Sequence, residues 1–220
     1  MGGGKAPELD WRDGVPVARA FDDPYYSLRG GADEAAHVFL AGNGLPDRMT
    51  DGFHVAELGF GTGLNALVTA RAWSRAGRPG RLVYTAFEAF PLTRADMARA
   101  LAPFDLGPWA DALLSAWPTA KIALPGLALE IVEGDARETL PIWAGRADAW
   151  YLDGFAPARN PELWGEALLA DLAWHTAPGG TAATYSAAGH VRRGLAAAGF
   201  EVRRVQGFAG KRHMTVAQLP

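Results

Sequence analysis

The stretch Glu57-Leu58-Gly59-Phe60-Gly61-Thr62-Gly63 follows a short apolar run beginning near His54 and leads into an amphipathic segment from Leu64. A glycine turn between a strand and a helix opens a βα unit and lets a ligand approach the backbone closely, although alone it is a weak signal. The pattern then repeats. Apolar runs over Arg81–Glu88, Leu127–Gly134, Ala147–Phe155 and Thr181–Ser186 are separated by helical stretches, among them one opening at Pro91-Leu92-Thr93 with Thr93 as N-cap. Further helices are expected from about Pro161 to Thr176 and over Gly189–Ala198, the latter closed by Gly199, and Glu201–Val205 and His213–Ala217 read as a final hairpin. Alternation of this kind predicts an α/β fold, a doubly wound, mostly parallel seven-stranded sheet with helices on both faces. Pro103–Gly126 has no clear place in the pattern, and residues 1–50 read as an amino-terminal extension packed on a domain spanning 51–220.

In a doubly wound sheet the ligand lies beyond the carboxyl ends of the strands, where the strand order reverses. The glycines here run G-x-G-x-G, whereas the dinucleotide fingerprint is G-x-G-x-x-G. Glu57 stands two residues before the first of them. A carboxylate there repels a pyrophosphate but suits the ammonium of an amino-acid moiety. Glu88 closes the second strand, where an acid can accept both ribose hydroxyls, and Asp135 closes the third, where it can accept from an adenine amino group. Any one of these acids alone reads equally as a solvated strand end or a helix cap. Three at successive strand ends point to a nucleoside–amino-acid cofactor. S-adenosyl-L-methionine, with an ammonium, a sulfonium and no phosphate, has that chemistry.

Composition narrows the setting. Hydrophobic residues make up 49% of the chain and charged ones 20%, values of an ordinary globular protein. No apolar run approaches the roughly 18 residues of a membrane span. The start of the chain lacks the apolar core of an export signal, and there are no cysteines, so a cytoplasmic protein without thiolate metal sites is expected. The histidines do not fall at metal-ligand spacing with carboxylates, and no metal is expected. The net charge of −3 disfavours a generally basic nucleic-acid binder, yet Gly189–Pro220 holds six basic residues against one acid, Glu201. That basic end is either a solvated surface or a guide for a polyanion.

Asp153-Gly154-Phe155-Ala156-Pro157 follows the fourth strand, beside the expected methyl group. The placement resembles the Asp/Asn-Pro-Pro-aromatic loops of amino-methyltransferases. An acid here can orient an amine and take its proton if its pKa is raised, and an aromatic ring can pack against the acceptor. Trp164, in Asn160-Pro161-Glu162-Leu163-Trp164, reads more readily as core than as a platform for a base.

These blocks, together with Phe21-Asp22-Asp23-Pro24-Tyr25-Tyr26-Ser27, Asn43-Gly44-Leu45-Pro46-Asp47-Arg48, Ala188-Gly189-His190-Val191-Arg192-Arg193 and Gly210-Lys211-Arg212-His213-Met214, resemble the MnmC methyltransferase-domain and stand-alone MnmD-type tRNA methyltransferase family across nearly the whole chain. The resemblance implies a Rossmann-like class I methyltransferase. It further implies methylation of the exocyclic amine of 5-aminomethyl-2-thiouridine at the wobble position, with the tRNA anticodon stem-loop as partner. Carried over, Glu57, Gly59, Gly61, Gly63, Asn65, Glu88 and Asp135 would hold the cofactor. Asp153 and Phe155 would meet the acceptor, and Arg192, Arg193, Lys211 and Arg212 would contact phosphates. The flavin-dependent oxidase domain that follows in MnmC is not expected here, so a separate oxidase or other enzyme would supply the amine. Ala89 and His213 stand where the family commonly has Lys and Glu. An enzyme acting on another RNA or small-molecule amine, and a non-catalytic cofactor-binding subunit, are the alternatives.

Overall fold

The computed structural model describes residues 6–220. Strands β1 (Leu9–Arg12), β2 (Val15–Ala18) and β3 (Asp23–Pro24) form a small antiparallel sheet. Helix α1 (Gly31–Ala35) continues through a π-helical turn at Ala36–Leu40 and a 3-10 turn at Ala41–Asn43. The alternating part follows as β4 (His54–Leu58), α2 (Leu64–Arg75), β5 (Leu82–Glu88), α3 (Arg94–Leu101), α4 (Gly107–Ala116), β6 (Lys121–Leu124), β7 (Leu127–Glu133), α5 (Ala136–Thr139), β8 (Ala147–Leu152), α6 (Glu166–Trp174), β9 (Thr176–Thr184), α7 (Gly189–Ala197), β10 (Glu201–Val205) and β11 (Met214–Gln218). The large sheet has the order β10-β11-β9-β8-β4-β5-β7-β6. Strands β9, β8, β4, β5 and β7 are parallel neighbours, while β6, β10 and β11 pair antiparallel.

The order reverses at β4, which has β5 on one side and β8 on the other. That reversal puts the crevice at the ends of β4 and β8, where Glu57 and Asp153 stand. Central strands covered on both faces are mostly apolar. Val55 and Tyr151 enter the core on one face, with Leu67 and Tyr84, while Ala56, Trp150 and Leu152 enter the core on the other, with Phe87 and Leu169. Thr93 caps α3, accepting from the Asp96 amide at 3.1 Å. Gly199 has φ +104° just past α7, as its C′ position requires.

Three local expectations are corrected. Pro103–Gly126 forms α4 and an eighth strand. In β6 the buried Ile122 and Leu124 alternate with the exposed Lys121 and Ala123, a period too short to stand out without its partner β7. The stretch expected as one helix from Pro161 splits at Gly165 into a 3-10 turn, Pro161–Trp164, and α6. Pro178-Gly179-Gly180 does not precede the fifth strand but lies within β9, where the ladder shifts register between Ala147 and Ala149.

Residues from the amino-terminal segment lie directly on the sheet. A Cβ on Gly42 would stand 2.9 Å from the Cβ of Ala183. Asn43 Nδ2 donates to the carbonyls of Phe39 and Trp150, and Asn43 Oδ1 accepts from Thr181 at 2.7 Å. Among the described residues no helix is long and apolar enough to cross a membrane.

Candidate active site

One cavity of about 880 Å³ lies over the carboxyl ends of β4, β5 and β8, within the size range of small-molecule sites. Its floor is the glycine turn. Gly59, Gly61 and Gly63 have φ of +90°, +52° and +79°. Each excludes a side chain for a different reason. A Cβ on Gly59 would stand 2.7 Å from the Asp153 carbonyl oxygen, one on Gly61 2.9 Å from the Tyr25 ring, and one on Gly63 2.8 Å from Leu113 of α4. Gly59 and Gly61 line the cavity; Gly63 does not, and its lack of a Cβ serves the packing of α2 against α4.

Glu57 is also off the cavity wall. Fully buried, it accepts from Asn65 Nδ2 at 2.6 Å and from the Tyr84 hydroxyl at 2.8 Å. Burial, reinforced by the neighbouring Asp153, raises its pKa well above that of an ordinary carboxyl. The same Asn65 amino group donates to Asp153 Oδ2 at 2.6 Å. One amide thus joins an inner acid to an outer one, and Asn65 rather than Glu57 faces the cavity. Glu57, expected to meet a ligand ammonium, thus has its own buried donors and does not line the cavity; Asn65 stands between it and the cavity wall.

Glu88 and Asp135 line the cavity at the ends of the next two strands. Glu88 accepts the Gly61 and Phe90 amides, one on each oxygen, at 2.8 Å each. Burial raises its pKa and those amides oppose the rise. The Phe60 and Ala89 amides also point at this carboxylate and pull its pKa the same way. Asp135 caps α5 through the Arg137 amide and takes the Arg137 guanidinium at 2.6 Å, which lowers its pKa.

The opposite end of the cavity is acidic and aromatic. Burial pushes the Asp153 carboxyl up to about 7, against the Asn65 hydrogen bond that pulls it down. Phe155 stacks on Phe21 at 4.5 Å between ring centres and meets Tyr25 edge-on at 5.2 Å. Asp23 accepts the Ala156 amide at 2.7 Å and its pKa is raised, chiefly by burial. The Tyr185 hydroxyl donates to the Gly154 carbonyl at 2.8 Å, and the Trp164 indole to that of Phe155 at 2.9 Å. Trp164 is buried, as a core residue should be.

The four expected phosphate contacts separate in space. Arg192 and Arg193 lie on the first turn of α7, with their guanidinium groups near Gly189. Arg212 is exposed, in the loop between β10 and β11. None of these three has a carboxylate partner within ion-pair distance among the described residues. Lys211 differs: it lines the cavity and pairs with Glu34 at 2.9 Å. Sequence reasoning gave no role to Phe21, Asp23, Tyr25, Glu34 or Tyr185. The acid-and-aromatic run from Phe21 to Tyr26, standing outside the βα pattern, was the one available signal.

The wall tests the cofactor class. Seven acidic side chains line it against three basic ones, and each of the three, Arg19, Arg137 and Lys211, is already paired with a carboxylate. Such a cavity disfavours a pyrophosphate and fits a ligand carrying positive charge.

Comparison with known proteins agrees. A tRNA 5-methylaminomethyl-2-thiouridine biosynthesis bifunctional protein MnmC from Pseudomonas paraeruginosa is 44% identical over 94% of this chain, which covers 34% of that protein. The MnmC of Caulobacter vibrioides is 45% identical over 96% of this chain and 38% of its own length. The chain thus spans about a third of the length of the curated relatives it matches. The crystal structure of MNMC2 from Aquifex aeolicus shares the fold, with a TM-score of 0.74 at 22% identity over 100% of this chain and 72% of that one. A family model described as S-adenosyl-L-methionine-dependent methyltransferase matches residues 105–220, more than half of the sequence, and the chain belongs to that family.

Proposed function

We propose that this chain methylates the exocyclic amine of 5-aminomethyl-2-thiouridine at the wobble position of tRNA, giving 5-methylaminomethyl-2-thiouridine. The observation that carries the reading is a half-buried carboxyl, Asp153, with its pKa raised to about 7, two residues from the aromatic Phe155 on the wall of a cavity that Glu88 and Asp135 also line. The names of the relatives, which place them in the biosynthesis of that nucleoside, supply the acceptor.

Glu88 would take the ribose hydroxyls, Asp135 the adenine amino group, and Asn65 with the Gly59–Gly61 backbone the amino-acid end of S-adenosyl-L-methionine. When bound, the cofactor supplies a methyl group on a cationic sulfur. An aliphatic ammonium has no lone pair and must lose a proton before it can attack. Asp153 is placed to accept that proton, because a carboxylate with a pKa near 7 is a far stronger base than an ordinary one. Phe155, braced by Phe21 and Tyr25, fixes the acceptor's approach, and in methyl transfer positioning supplies much of the rate. A preceding reaction would supply the primary amine, and the methylation would take place in the cytoplasm, where tRNA is.

The test is mass spectrometry of tRNA nucleosides after incubation with isotope-labelled cofactor. Label is expected in the wobble uridine of tRNAs bearing the aminomethyl group. Its absence from all of them, with label in another amine, would move the chain to a different acceptor. Arg192, Arg193 and Arg212 are the proposed phosphate contacts. Changing Arg192 and Arg193 together to Ala should flatten the dependence of log affinity on log salt by about 0.9 per lost contact. An unchanged slope would return α7 to a merely solvated surface.

A further inference from the structure

Lys211 is not oriented as a phosphate contact. It comes from the loop between β10 and β11, and its ammonium turns into the cavity, 2.9 Å from Glu34 Oε1 and 4.9 Å from the centre of the Tyr185 ring. Both partners are held in place. The Glu34 side chain is only 13% exposed, and its other oxygen takes the Ser27 amide at 3.1 Å. Tyr185 is fixed by its hydroxyl on Gly154, next to Asp153. A carboxylate and an aromatic face converging on one point form a receptor for a primary ammonium. In this structure the group filling it is the –CH2–NH3+ terminus of a lysine. The acceptor proposed above ends in the same –CH2–NH3+ group.

We propose that Glu34 and Tyr185 form the acceptor-ammonium subsite, and that Lys211 occupies it as an internal competitor until the acceptor arrives. The inference rests on the proposed function insofar as it takes the acceptor to be an amine. Two ammonium groups cannot share one partly buried carboxylate without strong repulsion, so the incoming amine displaces Lys211. No loop movement is needed, because the Lys211 side chain is half exposed and can swing out into solvent. The subsite also sets specificity. With Asp23, Glu34 and Asp153 all on the wall, an acceptor carrying its own carboxylate is repelled and a bare aminomethyl group is retained.

The test measures binding, with S-adenosylhomocysteine present so that nothing turns over. Propylammonium chloride is titrated while the NMR shift of the Ser27 amide, which bonds Glu34, is followed. Lys211→Met should bind propylammonium about tenfold more tightly than the unaltered chain, the scale of one charge-assisted hydrogen bond freed from competition, and adding Glu34→Gln should abolish the gain. In parallel, anticodon stem-loops with 5-aminomethyl-2-thiouridine or plain 2-thiouridine are compared. Lys211→Met should widen the preference for the aminomethyl RNA, and Glu34→Gln should erase it. Lys211→Ala provides a second variant should Met disturb the loop. Unchanged propylammonium binding in both Lys211 variants overturns the proposal. So does an equal weakening of both RNAs, which is what loss of a phosphate contact would give. If propylammonium behaves as expected while neither RNA binds, the subsite stands and the tRNA reading falls.

Discussion

Asp153→Asn should lower the methyl-transfer rate by about 10²–10⁴-fold, the range contributed by a positioned proton acceptor, while cofactor affinity changes by no more than a few fold. The asparagine is close to isosteric, and its carbonyl oxygen can still accept from Asn65 Nδ2, as Asp153 Oδ2 does at 2.6 Å. What is lost is basicity. The pH dependence gives an independent check. With its carboxyl raised to about 7 by burial, Asp153 is protonated and inactive as a base below that value, so kcat/KM should rise through pH 7 and level off above it. In the variant that limb should vanish. Stability moves the other way. The folded chain holds the Asp153 proton more tightly than the unfolded chain does, so ionisation opposes folding, with no penalty below the unfolded pKa near 3.8 and the full penalty above about 7. Asp153→Asn should therefore melt at a higher temperature than the unaltered chain at pH 8 and show no such advantage at pH 4. A variant that loses cofactor binding as severely as turnover would place Asp153 with the cofactor instead of the acceptor.

That the acceptor end was only half legible in the sequence has a physical cause. The glycine turn, strands β4 and β5 and the Thr93 cap are local features, set by residue periodicity and turn chemistry within a few positions. The acids at the strand ends follow from the same periodicity, because the topology of a doubly wound sheet brings those ends together. The walls of the acceptor site do not. Asp23 reaches the Ala156 amide across 133 positions, and Lys211 reaches Glu34 across 177. Contacts that distant leave no pattern in either stretch. In the sequence Lys211 groups with its basic neighbours because charge is the only property visible there, whereas the carboxylate it pairs with lies in α1. Glu57 shows the converse. Its position was legible, but its burial was not, since that depends on Tyr84 and Asn65 closing over it.

The glycine turn itself gives the other large effect, and the three glycines should not respond alike. Gly59→Ala puts a side chain at φ +90°, a backbone conformation costing on the order of 1–3 kcal/mol, and sets its Cβ 2.7 Å from the Asp153 carbonyl oxygen. Neither side can yield easily. The Gly59 amide is tied to Phe87 at 2.9 Å and the Asp153 amide to Leu58 at 3.1 Å, so the clash is between two backbones already locked into the sheet. Relief requires moving the end of β8, and with it Asp153. Gly59→Ala should therefore weaken S-adenosylhomocysteine binding by about a hundredfold, as expected when roughly 3 kcal/mol of strain is imposed on a site the ligand needs undistorted, and it should lower the melting temperature as well. At Gly61 the obstacle is the Tyr25 ring, which can turn aside, so both losses should be smaller. At Gly63 the Cβ meets Leu113, which is off the cavity wall, and the far end of the Phe60 ring, which lines it, so stability should fall more than the affinity of the folded protein does. Calorimetric titration and thermal melts on the three variants separate these cases. Equal loss of affinity at all three positions would show that the turn acts as one rigid unit, and would refute the separate roles assigned here to Gly59 and Gly63.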